Sequence, residues 1–205
     1  MAAVRTLSRP RAPALWLDAA LKTALLAALF VAVHNSHWPQ LADKAMPQRA
    51  LLYGALAATT PAIWWTTGRR HPHARPYPHL IDALLVLPFF ADVLFNLLDL
   101  YDRYEFWDDL VHLVLGIDFA AAIAIALSLG GVAPRVAAGL VAGIWAIGSI
   151  AWEVGEYLTL VQNSWEFQHG YRDTLGDLAL GLVGAGIVVM ALLTRGHRAP
   201  PVIRP

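Results

Sequence analysis

Apolar residues run in long blocks separated by short polar connections, with neither a strand-like alternation nor a narrow amphipathic stripe. Six such blocks, each of about 20 residues and so long enough to cross the hydrocarbon as a helix, fall at about 15–34, 49–68, 79–100, 107–129, 133–160 and 173–194. Short connections make neighbouring helices antiparallel. The pattern predicts an all-α fold: a polytopic transmembrane helical bundle of about six spans, forming a single integral membrane domain over residues 1–205. Arg5, Arg9 and Arg11 precede the first block, as they would a secretory signal. Asp18 and Lys22 interrupt that block, which is also longer than a typical signal core, so a retained helix is expected.

Composition agrees. Of 205 residues, 58% are hydrophobic and 15% charged, and mean hydropathy is +0.51; ordinary soluble domains carry about 25% charged residues. Net charge is zero, which gives no basic surface for nucleic acid, and the absence of cysteine excludes disulfides and thiolate chemistry. The basic residues are sorted along the chain. Alternate tails and loops hold ten Lys and Arg on one side and four on the other, so the positive-inside rule predicts that both termini are cytoplasmic. Most Trp and Tyr residues then fall near the two interfaces. The loop at 69–79 reads as an extended, solvated linker; His71, His73 and His79 within it are a weaker metal candidate. Gly139 with Gly143, and Gly181 with Ala185, predict close helix contacts in the last two spans.

The acids carry most information. The segments expected in the cytoplasm contain no Asp or Glu, whereas the outer halves of spans 3 to 6 and their loops contain most of them. Asp92, Asn96 and Asp99 share one helix face. Asp108 and His112 stand at i,i+4, and Asp109 is three residues from the same histidine. Glu153 and Glu156 lie at the C-terminal end of the fifth span, where the helix dipole disfavours acids. Asp173 and Asp177 open the sixth span, on a face that continues through Gly181 and Gly184. Capping accounts for Asp108, Asp109 and Asp173 as well as chemistry does, and Asp102, Glu105 and Glu166 read as solvated loop charges. Asp18 with Lys22 reads as a local ion pair, and Asp82 as an interfacial charge. Asp92 and Asp118 come out near mid-bilayer, either as a buried proton path or as hydrogen-bonded acids. Arg103 and Arg172 are the basic residues of the two loops nearest the acids, too few to balance them. Bound metal, shared protons or a cationic substrate group must supply the rest.

Three segments in order, WDDLVHLVLG (107–116), WEVGEY (152–157) and RDTLGDLALGLVGA (172–185), resemble the signature segments of the YjdF-like family of bacterial inner-membrane proteins, predicted membrane proteins of unknown function. The resemblance covers spans 3 to 6. It implies that the family's polar positions are Asp108 and His112, Glu153 and Glu156, and Asp173, Thr174 and Asp177. Arg172 stands where a tryptophan is common, and Asp109 is an additional acid beside the first motif. Location in the bacterial inner membrane is implied; a reaction is not.

Six oxygen ligands and one imidazole suit Mg²⁺, Mn²⁺ or Zn²⁺. The expectation is a metal-dependent site acting on a lipid or lipid-linked head group. Asp108, His112, Glu153, Glu156, Asp173 and Asp177 are its catalytic candidates, and the same residues with Asp109 its metal ligands. The alternatives are a cation- or proton-coupled transporter using Asp92 and Asp118 with a small cationic substrate, and a scaffold whose polar cluster fixes packing. The lipid bilayer is the expected partner. No nucleophilic serine motif, phosphate loop or dinucleotide fingerprint is present.

Overall fold

The computed structural model describes residues 12–68, 76–158 and 170–197, all helix, turn or irregular chain with no strand among them. Helices α1 (Ala12–His34), α2 (Met46–Ala57), α3 (Thr59–Ile63) and α4 (His79–Leu97) are followed by α5 (Leu100–Arg103), α6 (Trp107–Leu129), α7 (Pro134–Glu156) and α8 (Gly170–His197). Five are long and apolar enough to cross a membrane: α1, α4, α6, α7 and residues Gly170–Arg195 of α8. At about 1.5 Å per residue, a 23-residue helix such as α6 spans about 35 Å.

The block expected as the second span is helical but broken. After α2 the helix resumes as α3 and then widens into a π-helical turn, Trp64–Gly68. The break follows from Pro61, which offers no N–H to the Ala57 carbonyl and crowds it with its ring. Around the π-turn, the Thr66 hydroxyl donates to the Ala62 carbonyl at 2.9 Å and the Thr67 hydroxyl to that of Ile63 at 2.6 Å. The second block is thus a broken helix, and the other five are uninterrupted. The third span also ends sooner than expected, at Leu97, and Asp99 leaves the helix with φ of 60° instead of extending its polar face.

Contacts divide the chain into two compact units, 1–98 and 99–205. In the first, α1 lies along α4, with Leu25, Leu29 and Ala32 buried on α1 and Ala83, Val86 and Val93 buried on α4. One end is tied by charge. Lys22 reaches Asp18 at 3.0 Å and also pairs with Asp82, which accepts a further hydrogen bond from the Tyr77 hydroxyl. His79 Nδ1 meets Asp18 at 2.7 Å. Asp18 and Lys22 are thus part of a wider network, and Asp82, at 1% exposure, is a buried member of it. His71 and His73 lie outside the described residues. Further along, Arg49 donates to Asp92 at 2.8 Å, and the Tyr53 hydroxyl donates to the same oxygen at 2.7 Å. Asp92, expected as a relay or a protonated acid, is an ion-pair partner.

The second unit is a three-helix core in which α6 and α8 run parallel and α7 antiparallel. Ala120 and Ala124 of α6, Ala137, Ala138 and Val141 of α7, and Ala185 and Leu192 of α8 form its buried centre. Small side chains permit the approach, which is closest between α6 and α8. A Cβ placed on Gly116 would lie 2.1 Å from the Gly181 carbonyl oxygen, and one on Gly184 would lie 2.2 Å from that of Leu113. Backbone touches backbone there, the arrangement that glycines allow in membranes. Gly181 and Ala185 therefore do pack as expected, Ala185 at 1% exposure. Gly139 and Gly143 do not: a Cβ on either would meet nothing within 4 Å, because they lie on the outward face of α7.

Candidate metal-binding site

The close crossing of α6 and α8 sets the register of everything one turn above it. Gly116 and Gly181 each stand four residues, one helical turn, after a polar residue: His112 on α6 and Asp177 on α8. A further turn back come Asp108 and Asp173. The parallel helices thus bring Asp108, His112 and Asp177 together by construction. His112 Nε2 is 3.5 Å from an Asp177 carboxylate oxygen and 3.7 Å from one of Asp108. One ligand atom from each of the three lies within 4.8 Å of the others. Ligand atoms held about 2.0–2.2 Å from a tetrahedral ion are about 3.3–3.6 Å apart, close to the two separations from His112, and two carboxylates with an imidazole are donors that a divalent cation accepts.

Asp177 is 7% exposed. Its carboxylate pairs with the imidazole of His112. Asp108 and Asp109 lie in the first turn of α6, whose N-cap makes no side-chain hydrogen bond. Their position complements the helix dipole, yet only Asp108 turns toward His112. Asp109 is exposed, with a carboxylate oxygen beside Gly176, and does not line the site.

A cavity of about 490 Å³ adjoins the three residues. Asp108, His112 and Asp177 line it from α6 and α8, Asp173 and Thr174 from the start of α8, and Glu153, Val154, Glu156 and Tyr157 from the end of α7. The antiparallel course of α7 carries its two glutamates to this level. The Thr174 hydroxyl donates a hydrogen bond to Glu153. Tyr171 also lines the cavity at 81% exposure, so part of its wall is continuous with the outer surface of the helices. None of the described lining residues is Lys or Arg; Arg172 is exposed and stands outside the lining. Of the seven ligands expected from sequence, three reach mutual ligating range, three more (Glu153, Glu156, Asp173) face the same cavity, and Asp109 does neither. Sequence reasoning missed Val154, Tyr157 and Tyr171 as lining, and Gly116 as the contact that sets the register. The repeated four-residue step from polar residue to glycine on both helices is the signal that finds Gly116.

Two other acids named from sequence stand apart. Asp118, farther along α6, is 9% exposed, and its Oδ2 has no hydrogen-bond partner among the described residues. Asp99 pairs with Arg103 at 2.9 Å. Glu166 lies outside the described residues.

Five apolar helices and an Asp/His group facing a cavity define a multi-pass α-helical membrane protein. The family described as Predicted membrane protein (DUF2238), the YjdF-like family, matches residues 13–199, and the chain belongs to it. No curated protein and no solved structure matches the chain.

Proposed function

We propose that this protein is a metal-dependent enzyme of the bacterial cytoplasmic membrane that acts on the head group of a lipid or lipid-linked molecule. The observation that carries the reading is the convergence of Asp108, His112 and Asp177 on one cavity wall, at distances a divalent cation would bridge. Mg²⁺, Mn²⁺ or Zn²⁺ held there would polarise a phosphoryl oxygen and acidify a bound water. Glu153, which accepts a hydrogen bond from Thr174 and lines the same cavity, would take the proton of the attacking water. The phosphorus–oxygen bond to the leaving alcohol would break, and that alcohol would recover the proton. The ten-to-four bias of basic residues supports cytoplasmic termini, which would put the cavity at the outer face.

The test is release of a phosphorylated head group from defined vesicles that contain the purified protein and Mn²⁺. Turnover should require the metal and fall to background in Asp177→Asn and His112→Ala variants that still elute as the wild type does. Metal-independent turnover, or full activity in both variants, would refute the reading.

A further inference from the structure

Asp118 stands at the middle of α6, with eleven residues on either side of it in a 23-residue spanning helix. At about 1.5 Å per residue it is about 16 Å from either end, the level of the bilayer midplane. It is more than nine-tenths buried, and its Oδ2 meets no hydrogen-bond donor among the described residues. Other buried acids differ in this respect. Asp18 and Asp82 share Lys22, Asp92 is held by Arg49, and Asp177 pairs with His112.

Within its unit, no charged residue stands at the level of Asp118. One turn along α6 in either direction come Val114, Leu115, Ala121 and Ala122, and the nearest titratable residue of the helix is His112, about 9 Å away along the axis. On α7 the ionisable residues are confined to the two ends, Arg135 at one and Glu153 and Glu156 at the other. On α8 they are Tyr171, Arg172, Asp173 and Asp177 in the first turns, and Arg195 and His197 in the last. The buried indole N–H of Trp145, on α7, is itself unpaired and so does not supply the missing donor.

An ionised Asp118 would be a lone charge at the depth where hydration is poorest, and a buried acid in that position takes up a proton instead. A carboxyl that served packing alone would be hydrogen-bonded. With Oδ2 unpaired, this one adds nothing to packing that an alanine would not supply. Its distinctive capacity is to hold a proton and to give it up.

We propose that Asp118 is a proton-binding site. Its carboxyl holds one proton while the helices are packed, and it releases that proton to water when they part enough to hydrate Oδ2. Carboxylate and hydrated proton are the products, so no other reactant takes part. Because the charged form requires hydration, proton release and opening of the midplane are coupled. The site is independent of the cation site at Asp108, His112 and Asp177.

The experiment uses the full chain in a maltoside detergent, which has no carbonyl band of its own, and compares its infrared spectrum with that of Asp118→Asn. At neutral pH the wild type should show a carboxylic-acid carbonyl band that shifts in D₂O and is lost in the variant. The band should vanish reversibly by about pH 10, where ordinary tyrosines ionise. An apolar carbodiimide, which adds to protonated carboxyls, should attach to the peptide that holds Asp118 at neutral pH and not at alkaline pH. This labelling is read on the wild type alone, so it decides the matter even if the variant fails to fold. Neither acid band nor label at Asp118 would overturn the proposal. So would a band unchanged through about pH 10, the mark of a proton never released, and so would suppression of the label by Na⁺ at fixed pH, the mark of a metal-cation site.

Discussion

Gly116 and Gly181 touch through their backbones, and that contact fixes which side chains meet one turn away. A methyl group on Gly116 would lie 2.1 Å from the Gly181 carbonyl oxygen, with no flexible side chain to yield. Gly116→Ala should therefore push α6 from α8 and lower stability by about 1–3 kcal/mol, the usual range for overpacking. It should also weaken cation binding, since His112 and Asp177 ride on the two helices. Gly139→Ala is the matched control: with nothing within 4 Å of the added Cβ, it should be neutral or slightly stabilising. Thermal midpoints of the two variants in the same detergent decide it. Equal losses would show that the crossing is less close than described.

Arg49 and Asp92 form a pair whose side chains are only 12% and 20% exposed. Removing one partner of such a pair strands the other's charge, at a cost of about 3–5 kcal/mol. Arg49→Met should be strongly destabilising, and adding Asp92→Leu should recover much of the loss. A proton relay through Asp92 would instead leave Arg49→Met folded and alter ion flux. Midpoints together with flux in proteoliposomes distinguish the outcomes.

Tyr77 predicts an alkaline response. Burial, then the hydrogen bond to Asp82, then the negative charges of Asp82 and Asp18 raise its ionisation well above the ordinary tyrosine value. In the unfolded chain a tyrosine ionises near about pH 10. The folded state thus holds a proton that the unfolded state has released, and stability must fall as pH rises past that point. Below it the contribution is fully present. Tyr77→Phe should flatten the stability profile above about pH 10 relative to wild type; an unchanged slope would assign the alkaline loss to other groups.

The long helices were legible because apolar length is itself the signal for a membrane span, and five of the six expected blocks are uninterrupted helices. The second block differs at one residue, Pro61, whose missing N–H breaks a helix that hydropathy alone reads as continuous. Asp108, His112 and Asp177 were legible from i,i+4 spacing near helix starts, and their gathering with the other acids at one level from the alternating helix directions. Which of the seven would approach most closely was not legible, because it depends on the depth of the α6–α8 crossing, and hence on glycines that hydropathy treats as neutral. Gly139 and Gly143 show the converse, since small residues four apart look alike whether they face a helix or lie on an open surface. The partners of Asp82 and Asp92, Lys22 and Arg49, were not legible because they come from distant parts of the chain.

Glu153 and Glu156 face the cavity without belonging to the compact Asp108, His112 and Asp177 group, which separates two roles by measurement. Glu153→Gln should retain bound metal while turnover falls by about 10²–10⁴-fold, the range for loss of a general base. If Glu153→Gln lost the metal instead, the ligand set would have to be redrawn toward α7.

Metal content tests the central claim most directly. Wild-type protein purified without chelator, with Mn²⁺ supplied and excess removed, should hold one ion per chain by elemental mass spectrometry. His112→Ala and Asp177→Asn should each hold far less. Wild-type protein without a stoichiometric ion, or variants that bind as wild type does, would contradict a cation site at Asp108, His112 and Asp177.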